Sequence, residues 1–429
     1  MDKTKIGLIG LGTVGSGVAQ LLLDHGDRTA RHAGRVLWLE KVAVRDLNRP
    51  RDCELPAGVL TDQLDEVINH PEIEVVAELM GGVDLAREVV LRSLAAGKDV
   101  VTANKALLAA HGPELCDAAR KHCRTIAFEA SVAGGVPIIT NLSQCLSANQ
   151  VTSLTGILNG TCNFILAKMH SEGTPYGQAL EEAQRLGYAE ADPALDVNGA
   201  DTAQKLAILA HLAFGARVAW EEIPCVGIDT LDVADIQHAQ QMGYVIKLLG
   251  VAELTPDGVQ LSVGPTLVRR GGAMADVSGP MNAVHVRADA VGELFYQGPG
   301  AGQMPTASAV VADLIDTAAG RTRVTFQTLE LWSDRSSRVE MADPKMAVGG
   351  YYLRFMVDDT PGVLAKITGV LGEHAISISS VLQHEASDGS APLVIMTHDT
   401  TEGEAVEACC DIAALDCVRS TPVGMRVRG

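Results

Sequence analysis

Along its first third the chain repeats one rhythm: a short apolar run, a glycine-marked turn, then apolar positions three and four apart. "KIGLIG" reads as a buried strand, "SGVAQLLLDHG" as the helix after it, and "VLWLEKVAVRD" as a strand with period-two character. The cycle continues through "EVVAELMGG", the helix "LAREVVLRSLAAG" and the strand "DVVTAN". Strand and helix taking turns predict an α/β domain, a parallel sheet with helices on both faces.

From about residue 137 the rhythm changes. "VTSLTGILNGTCNFILAKM" predicts strand, turn and helix, and "PYGQALEEAQRLGY" an amphipathic helix. "VQLSVGPTLV", "AVHVRA" and "GELFYQGPG" predict antiparallel strands, so this stretch reads as a mixed α+β domain. "TASAVVADLIDTAAG" is a later helix able to return to the first domain. Residues 333–350 lose apolar period and gain Ser, Asp, Pro and Gly, the composition of a linker. Beyond them come strand "YYLRFMV", turn "DDTPG", helix "VLAKITGVLGEHA", strand "ISISSVLQHE", hairpin "SDGSAPLVIMTH", helix "EGEAVEACCDIAAL" and strand "CVRSTPVGMRV". That βαββαβ order predicts a small ferredoxin-like domain. The boundaries fall at 1–136 for the first domain, 137–300 for the second, 301–335 for a returning segment, 336–350 for the linker and 351–429 for the tail.

A length of 429 residues accommodates about three such domains. A formal charge of −19 argues against nucleic acid or an anionic membrane as partner, and 3% aromatics leave few platforms for stacking bases. The 9 cysteines are scattered without a CxxC pair, which reads as reduced thiols in a cytoplasmic protein. Residues 6–23 lack charge, but their glycines, Thr13, Ser16 and Gln20 make them a poor membrane segment or signal peptide.

The first chemistry lies in "GLGTVG": Gly10, Leu11, Gly12, Thr13, Val14 and Gly15. A GxGxxG alone is weak, because glycine is abundant here and a turn can be rich in it without binding anything. Between a predicted strand and a predicted helix it points to a dinucleotide. Gly10 permits the turn, Gly12 lets backbone approach a pyrophosphate, and Gly15 lets helix and strand close up. At the end of the second predicted strand stands Arg45, with Arg49 and Arg51 nearby, which favours NADP; the adjacent Asp46 keeps NAD open.

Two lysines raise a second question. Lys105 follows the strand "DVVTAN", where ligands of open α/β sheets collect, although a surface lysine opening a helix explains it equally well. Lys205 lies in "GADTAQKLAIL", four residues after Asp201 and on the face that continues into Ile208, Leu209 and Leu212. A buried ammonium is costly unless paired or neutralised. An ordinary helix ion pair of about 0.3–0.5 kcal/mol is the bland reading, and proton transfer the functional one. Glu190, Asp192 and Asp196 precede this helix on a loop braced by Pro193; they suit a substrate ammonium group, a metal or plain solvation.

The run Ala183, Gly187, Tyr188, Asp192, Pro193, Asp196, Val197, Gly199, Asp201, Lys205 resembles the signature of the homoserine dehydrogenases. "VVTANKALLA", "FEASVAGGVPII", "GILNGTCNFIL" and "YQGPGAGQMPTASAVVAD" are similar to segments of that family, in its order. The resemblance covers the chain to about residue 335, and the tail resembles an ACT domain. It implies a Rossmann-type nucleotide-binding domain, an α+β catalytic and dimerisation domain, and a ferredoxin-like ACT domain. It implies NAD(P)H-dependent reduction of L-aspartate 4-semialdehyde to L-homoserine, on the way to threonine, methionine and isoleucine. Lys205 is then the proton donor to the carbonyl oxygen, Asp201 orients it and contacts substrate, and Lys105 faces substrate and nicotinamide. Glu190 holds the substrate amino group, while Gly187 and Gly302 approach the cofactor. "FEASVAGGV" is similar to the family's monovalent-cation loop, implying a sodium-type ion on Glu129 and the carbonyls of Val132, Gly134 and Val136. The tail implies threonine as feedback effector near Asp358 and Gly362; a purely structural or dimer-forming tail is the alternative. A homo-oligomer, dimer or tetramer, is expected. Rival readings are a dehydrogenase for another amino acid, such as aspartate, and an amino-acid-sensing protein without catalysis.

Overall fold

A computed structural model describes residues 2–333, 339–383 and 389–428. Parts of the expected linker (334–338) and of the expected strand and hairpin on either side of residue 386 (384–388) therefore lie outside the described residues. The chain forms two compact units: residues 1–154, 204–222 and 280–340 make the first, and residues 155–203, 223–279 and 341–429 the second.

In the first unit six parallel strands lie side by side in the order Leu60–Thr61, Val36–Ala43, Lys3–Ile9, Val75–Glu78, Asp99–Thr102 and Ile126–Ala127. The order reverses between Lys3–Ile9 and Val75–Glu78, the point at which α/β sheets of Rossmann type open a crevice for ligands. The strand segments that reach the core are apolar because both faces are covered, while Lys3, Lys5, Glu40 and Lys41 break the run on Lys3–Ile9 and Val36–Ala43. Ile6, Leu8, Val42 and Val101 join Val18 and Leu22 of helix Thr13–Asp24 and Val310 and Leu314 of helix Gln303–Ala318 in one core. Ile9, Val67, Ile68, Val76 and Val89 fill the other face. Strands Met281–Ala288 and Gly292–Pro299 pair antiparallel, as their alternation predicts.

The second unit is built on a hairpin of strands Tyr244–Thr255 and Gly258–Arg269. The residue pattern marks no element over the first of these. Val245, Ile246, Leu248, Leu249, Val251 and Ala252 are all buried, so both faces are apolar and the alternation that marks a half-exposed strand is missing.

Residues 348–428 of that unit follow the expected βαββαβ order. Their strands lie as Val423–Arg428, Val348–Asp358, Ser390–Thr397 and Ile378–Gln383, with helices Val363–Glu373 and Glu402–Ala413 over one face. Tyr351, Leu353, Phe355 and Val357 alternate toward Ile367, Leu371, Ala408 and Ile412 of those helices. The outer edge of Val423–Arg428 does not stay open: it pairs parallel with Gly258–Arg269, with Arg426 opposite Thr266.

The strand's alternate residues face the other way. Tyr352 and Arg354 meet Asp235, a wholly buried carboxylate on helix Val233–Gln241. The Tyr352 hydroxyl donates to it at 2.9 Å, and the Arg354 guanidinium at 2.6 and 3.0 Å. Removing one partner of such a pair strands the other charge away from water. Asp235→Ala is therefore expected to cost roughly 3–5 kcal/mol in urea denaturation. A loss below about 1 kcal/mol would show that the guanidinium finds water instead.

Candidate active site

In the first unit the loop Gly10–Gly15 joins the central strand to helix Thr13–Asp24. Gly10 has φ +100°, and a Cβ there would lie 2.5 Å from the Leu79 carbonyl oxygen. A Cβ on Gly15 would lie 2.2 Å from the Gly10 carbonyl oxygen, so helix and turn touch through this glycine. Gly12 is different: a Cβ there meets nothing within 4 Å. It stands at the helix start, where no side chain caps the first-turn amides and no acid lies in the first turn, the arrangement that suits an anion. Helix Gln303–Ala318 also begins without a side-chain cap, at Gly302, and its Gln303 lies against Gly17 of the first helix.

Arg45 is exposed just beyond strand Val36–Ala43. Asp46 is occupied in its own turn, accepting from the Asn48 amide at 2.9 Å, and Arg51 caps the carbonyls of Leu47 and Arg49 at 3.2 and 2.7 Å. Of the groups weighed for the adenosine ribose, Asp46 and Arg51 are thus folded back on this loop.

At the ends of the third and fourth strands in chain order past the loop, Glu78 and Thr102 meet. Glu78 is fully buried, and burial pushes its carboxyl above the usual range. It accepts from the Thr102 hydroxyl at 2.7 Å and the Met80 amide at 2.9 Å. Asn104 then caps helix Lys105–Lys121, accepting from the Leu107 amide at 3.1 Å. Lys105 is the first residue of that helix and is half-buried. Glu78 is not among the sequence's candidate residues, although a carboxylate closing an otherwise apolar parallel strand is a signal for it.

Lys205 belongs to helix Ala200–Phe214 and is half-buried between turns that carry the buried Gln204, Ile208 and Leu209. The far end of the helix is fastened by His211. Its ring stacks on Trp332 at 4.4 Å, its Nε2 accepts from the Trp332 amide at 2.8 Å, and its Nδ1 lies 3.0 Å from the Ala216 carbonyl. These bonds require the neutral tautomer with hydrogen on Nδ1.

The loop around Glu129 lies in the same unit. Glu129 is buried, with its carboxyl pushed up by burial, and accepts from the amides of Ile139 and Thr140 at 2.9 and 2.8 Å and from the Thr140 hydroxyl. Ala133 and Gly134 follow with φ +57° and +52°, and a Cβ on Gly134 would lie 2.4 Å from the Gly300 carbonyl oxygen. The Val136 carbonyl accepts from the Ile138 amide at 2.8 Å, whereas the carbonyls of Val132 and Gly134 take no backbone hydrogen bond among the described residues.

The second unit holds the acids. Asp201, on the first turn of helix Ala200–Phe214, is 6% exposed. The Asn159 amide donates to Asp201 and to Asp196, both at 2.9 Å. The loop carrying Gly187 and Glu190 is held by its backbone: the Thr161 hydroxyl donates to the Tyr188 carbonyl at 2.6 Å, and the Gln184 amide to the Glu190 carbonyl at 3.1 Å. Gly187 has φ +76°, and Glu190 is exposed. Neither Asn159, which holds the two acids, nor Thr161, which holds the loop, stands out in the sequence; Asn before Gly at a predicted helix start is the capping signal for Asn159. Asp358 and Gly362 sit apart on the C-terminal module. Gly362, φ +93°, opens helix Val363–Glu373, and Arg419 beside Asp358 holds its carboxyl below the usual range.

Comparison with known proteins gives three matching family models. They are homoserine dehydrogenase over residues 137–315, homoserine dehydrogenase NAD binding domain over 10–129, and ACT domain over 351–408. The homoserine dehydrogenase of Pseudomonas aeruginosa is 44% identical, over 100% of this chain and 99% of its own. The crystal structure of one from Thiobacillus denitrificans superposes with a TM-score of 0.92 at 41% identity, over 100% of this chain and 98% of that one. A hyperthermophilic archaeal homoserine dehydrogenase in complex with NADPH gives 0.61 at 27% identity, over 73% of this chain and 97% of that one.

Two tests follow from the geometry. Gly12→Ala is expected to stay within about 1 kcal/mol of wild-type stability while weakening nicotinamide cofactor binding about tenfold or more in fluorescence titration. Gly15→Ala is expected to cost both. Equal cofactor affinity in Gly12→Ala would place the phosphates elsewhere.

The second concerns pH. Burial lowers the pKa of His211 to about 4. The folded state then refuses a proton that the unfolded state accepts, so the contribution is complete above pH ~6.5 and drains away as pH falls toward 4. Over that window the loss is about 3 kcal/mol, and urea midpoints of His211→Gln should show a correspondingly flatter acid limb.

Proposed function

Because the chain belongs to the homoserine dehydrogenase family, NAD(P)-dependent oxidoreductases acting on a CH–OH group, we propose that it reduces L-aspartate 4-semialdehyde to L-homoserine with NADPH. The observation that carries this reading is the pairing of full-length similarity with a half-buried Lys205 one turn beyond a buried Asp201 on one helix.

The cofactor supplies the hydride. The chain's own residues do the rest. The amides at the start of helix Thr13–Asp24 bind the pyrophosphate, and Arg45 takes the 2′-phosphate. The archaeal relative's complex with NADPH supports that choice. Glu190 binds the substrate ammonium, and Lys105 orients the aldehyde. Lys205 stabilises the oxygen as negative charge develops on it and gives it a proton, with Asp201 holding the ammonium in position. A desolvated site favours this arrangement, because the lysine's field is little screened there.

The Glu129 loop suits a hard monovalent cation such as sodium, held chiefly by the carbonyls of Val132 and Gly134 with Val136 and Glu129 completing the set. Its role is structural. The C-terminal module is the reading's regulatory part: threonine, as end product, binds at the turn between Asp358 and Gly362 and lowers turnover in a homo-oligomer of this chain. That places the enzyme on the route to threonine, methionine and isoleucine.

Purified protein is expected to oxidise L-homoserine faster with NADP than with NAD, and more slowly with threonine present. Lys205→Ala should lose at least roughly a hundredfold in kcat while its cofactor Kd changes less than about twofold. Normal turnover in Lys205→Ala rejects the proton-donor role, and turnover of aspartate in place of homoserine rejects the substrate.

A further inference from the structure

We propose that Asn159 is a positioning residue for the reaction, an amide clamp that sets the orientation of Asp201 and Asp196; this rests on the role of Asp201 given above. Asn159 stands at the start of helix Gly160–Glu172 and is 4% exposed. Its Oδ1 accepts from the Cys162 amide at 2.7 Å, an N-cap bond that only an acceptor can make. That bond decides which end of the side chain is oxygen, so the flipped amide is excluded. The Nδ2 is thereby turned toward the two acids and reaches Asp196 Oδ1 and Asp201 Oδ2, each at 2.9 Å. An amide nitrogen carries two hydrogens, so each carboxylate receives one.

The chemistry explains why this residue type stands here. Two carboxylates gathered on one nitrogen repel each other, and donors to their charged forms offset that repulsion. A lysine or arginine in this place would supply donors and also cancel the negative charge that Asp201 exerts on its surroundings. Asparagine supplies hydrogens with no net charge. It is also short enough to cap the helix at the same time. Aspartate and serine cap a helix too, but an ionised aspartate donates nothing and serine has one hydrogen rather than two.

That difference gives the experiment. Asn159→Ser keeps a capping oxygen and loses the amide; Asn159→Asp keeps shape and cap, loses both donors and adds a third carboxylate. Each is measured in the full-length enzyme for kcat and KM with homoserine, cofactor Kd, melting temperature and the pH profile of kcat, beside Asp201→Asn. In Asn159→Ser, kcat should fall roughly 10–100-fold with cofactor Kd within about twofold and melting within a few degrees. In Asn159→Asp, kcat should fall further, and the acid limb of the profile should move up by about one pH unit, a change that loss of a cap alone does not produce.

Outcomes separate cleanly. Wild-type turnover in Asp201→Asn overturns the reading of Asp201 itself. Loss of turnover there, with wild-type kcat in Asn159→Ser and an unmoved profile in Asn159→Asp, overturns only the clamp. If both Asn159 variants lose cofactor binding and melt early, the residue is a structural cap and the proposal fails.

Discussion

A carboxylate leaves water only if something else supplies hydrogens to its oxygens, and much of this molecule is arranged around that requirement. Glu78 is met by the Thr102 hydroxyl and the Met80 amide, Glu129 by the amides of Ile139 and Thr140, and Asp196 and Asp201 by the Asn159 side chain. These donors are neutral. They hold each acid in place without bringing a countercharge of their own. Where the task is purely structural, as at Asp235, the donor is a guanidinium and the charges cancel.

The helix starts divide along the same line. Those of Lys105–Lys121 and Gly160–Glu172 are closed by asparagine side chains, and each adjoins residues assigned to substrate or to its acids. Those of Thr13–Asp24 and Gln303–Ala318 begin at glycines with no side-chain cap, next to the loop assigned to the cofactor. An uncapped start keeps its amide hydrogens available for phosphate oxygens, and a cap consumes one of them. Local sequence thus distributes donors between the protein's own acids and an external anion.

How far the sequence reveals this depends on how local each cause is. The first unit's sheet was legible because short apolar strands alternate with helices, and "GLGTVG" sits where a strand must turn into a helix. The C-terminal βαββαβ order was legible for a similar reason: Tyr351, Leu353, Phe355 and Val357 alternate cleanly with residues of the other face. Strand Tyr244–Thr255 was not, since burial on both faces erases the period that marks a strand. Glu78 and Asn159 were missed because their importance lies in partners 24 and 42 residues away, Thr102 and Asp201. Lys205 drew attention by being a charge in an apolar stripe, a purely local anomaly. Nothing in a one-dimensional pattern shows that residues 204–222 join the first unit while 223–279 joins the second.

Within the second unit the C-terminal module and the acid site are linked by unbroken contact. Strand Val423–Arg428 is bonded to Gly258–Arg269, and that strand to Tyr244–Thr255. From the latter, Lys247 reaches across to Asn163 at 3.1 Å and to the Val277 carbonyl. Asn163 lies one turn beyond Asn159 on helix Gly160–Glu172, which brings the path to Asp201. Lys247 is the stiff member: it is 4% exposed, and burial lowers its pKa to about 8. An ammonium this buried cannot leave its two acceptors without losing the bonds that offset its desolvation, so it ties the helix to the hairpin. Contact alone does not make a signal; two arrangements of comparable energy are also needed. The module meets the hairpin through three registered backbone pairs, and Arg428 adds a bond to Glu253 at 3.1 Å.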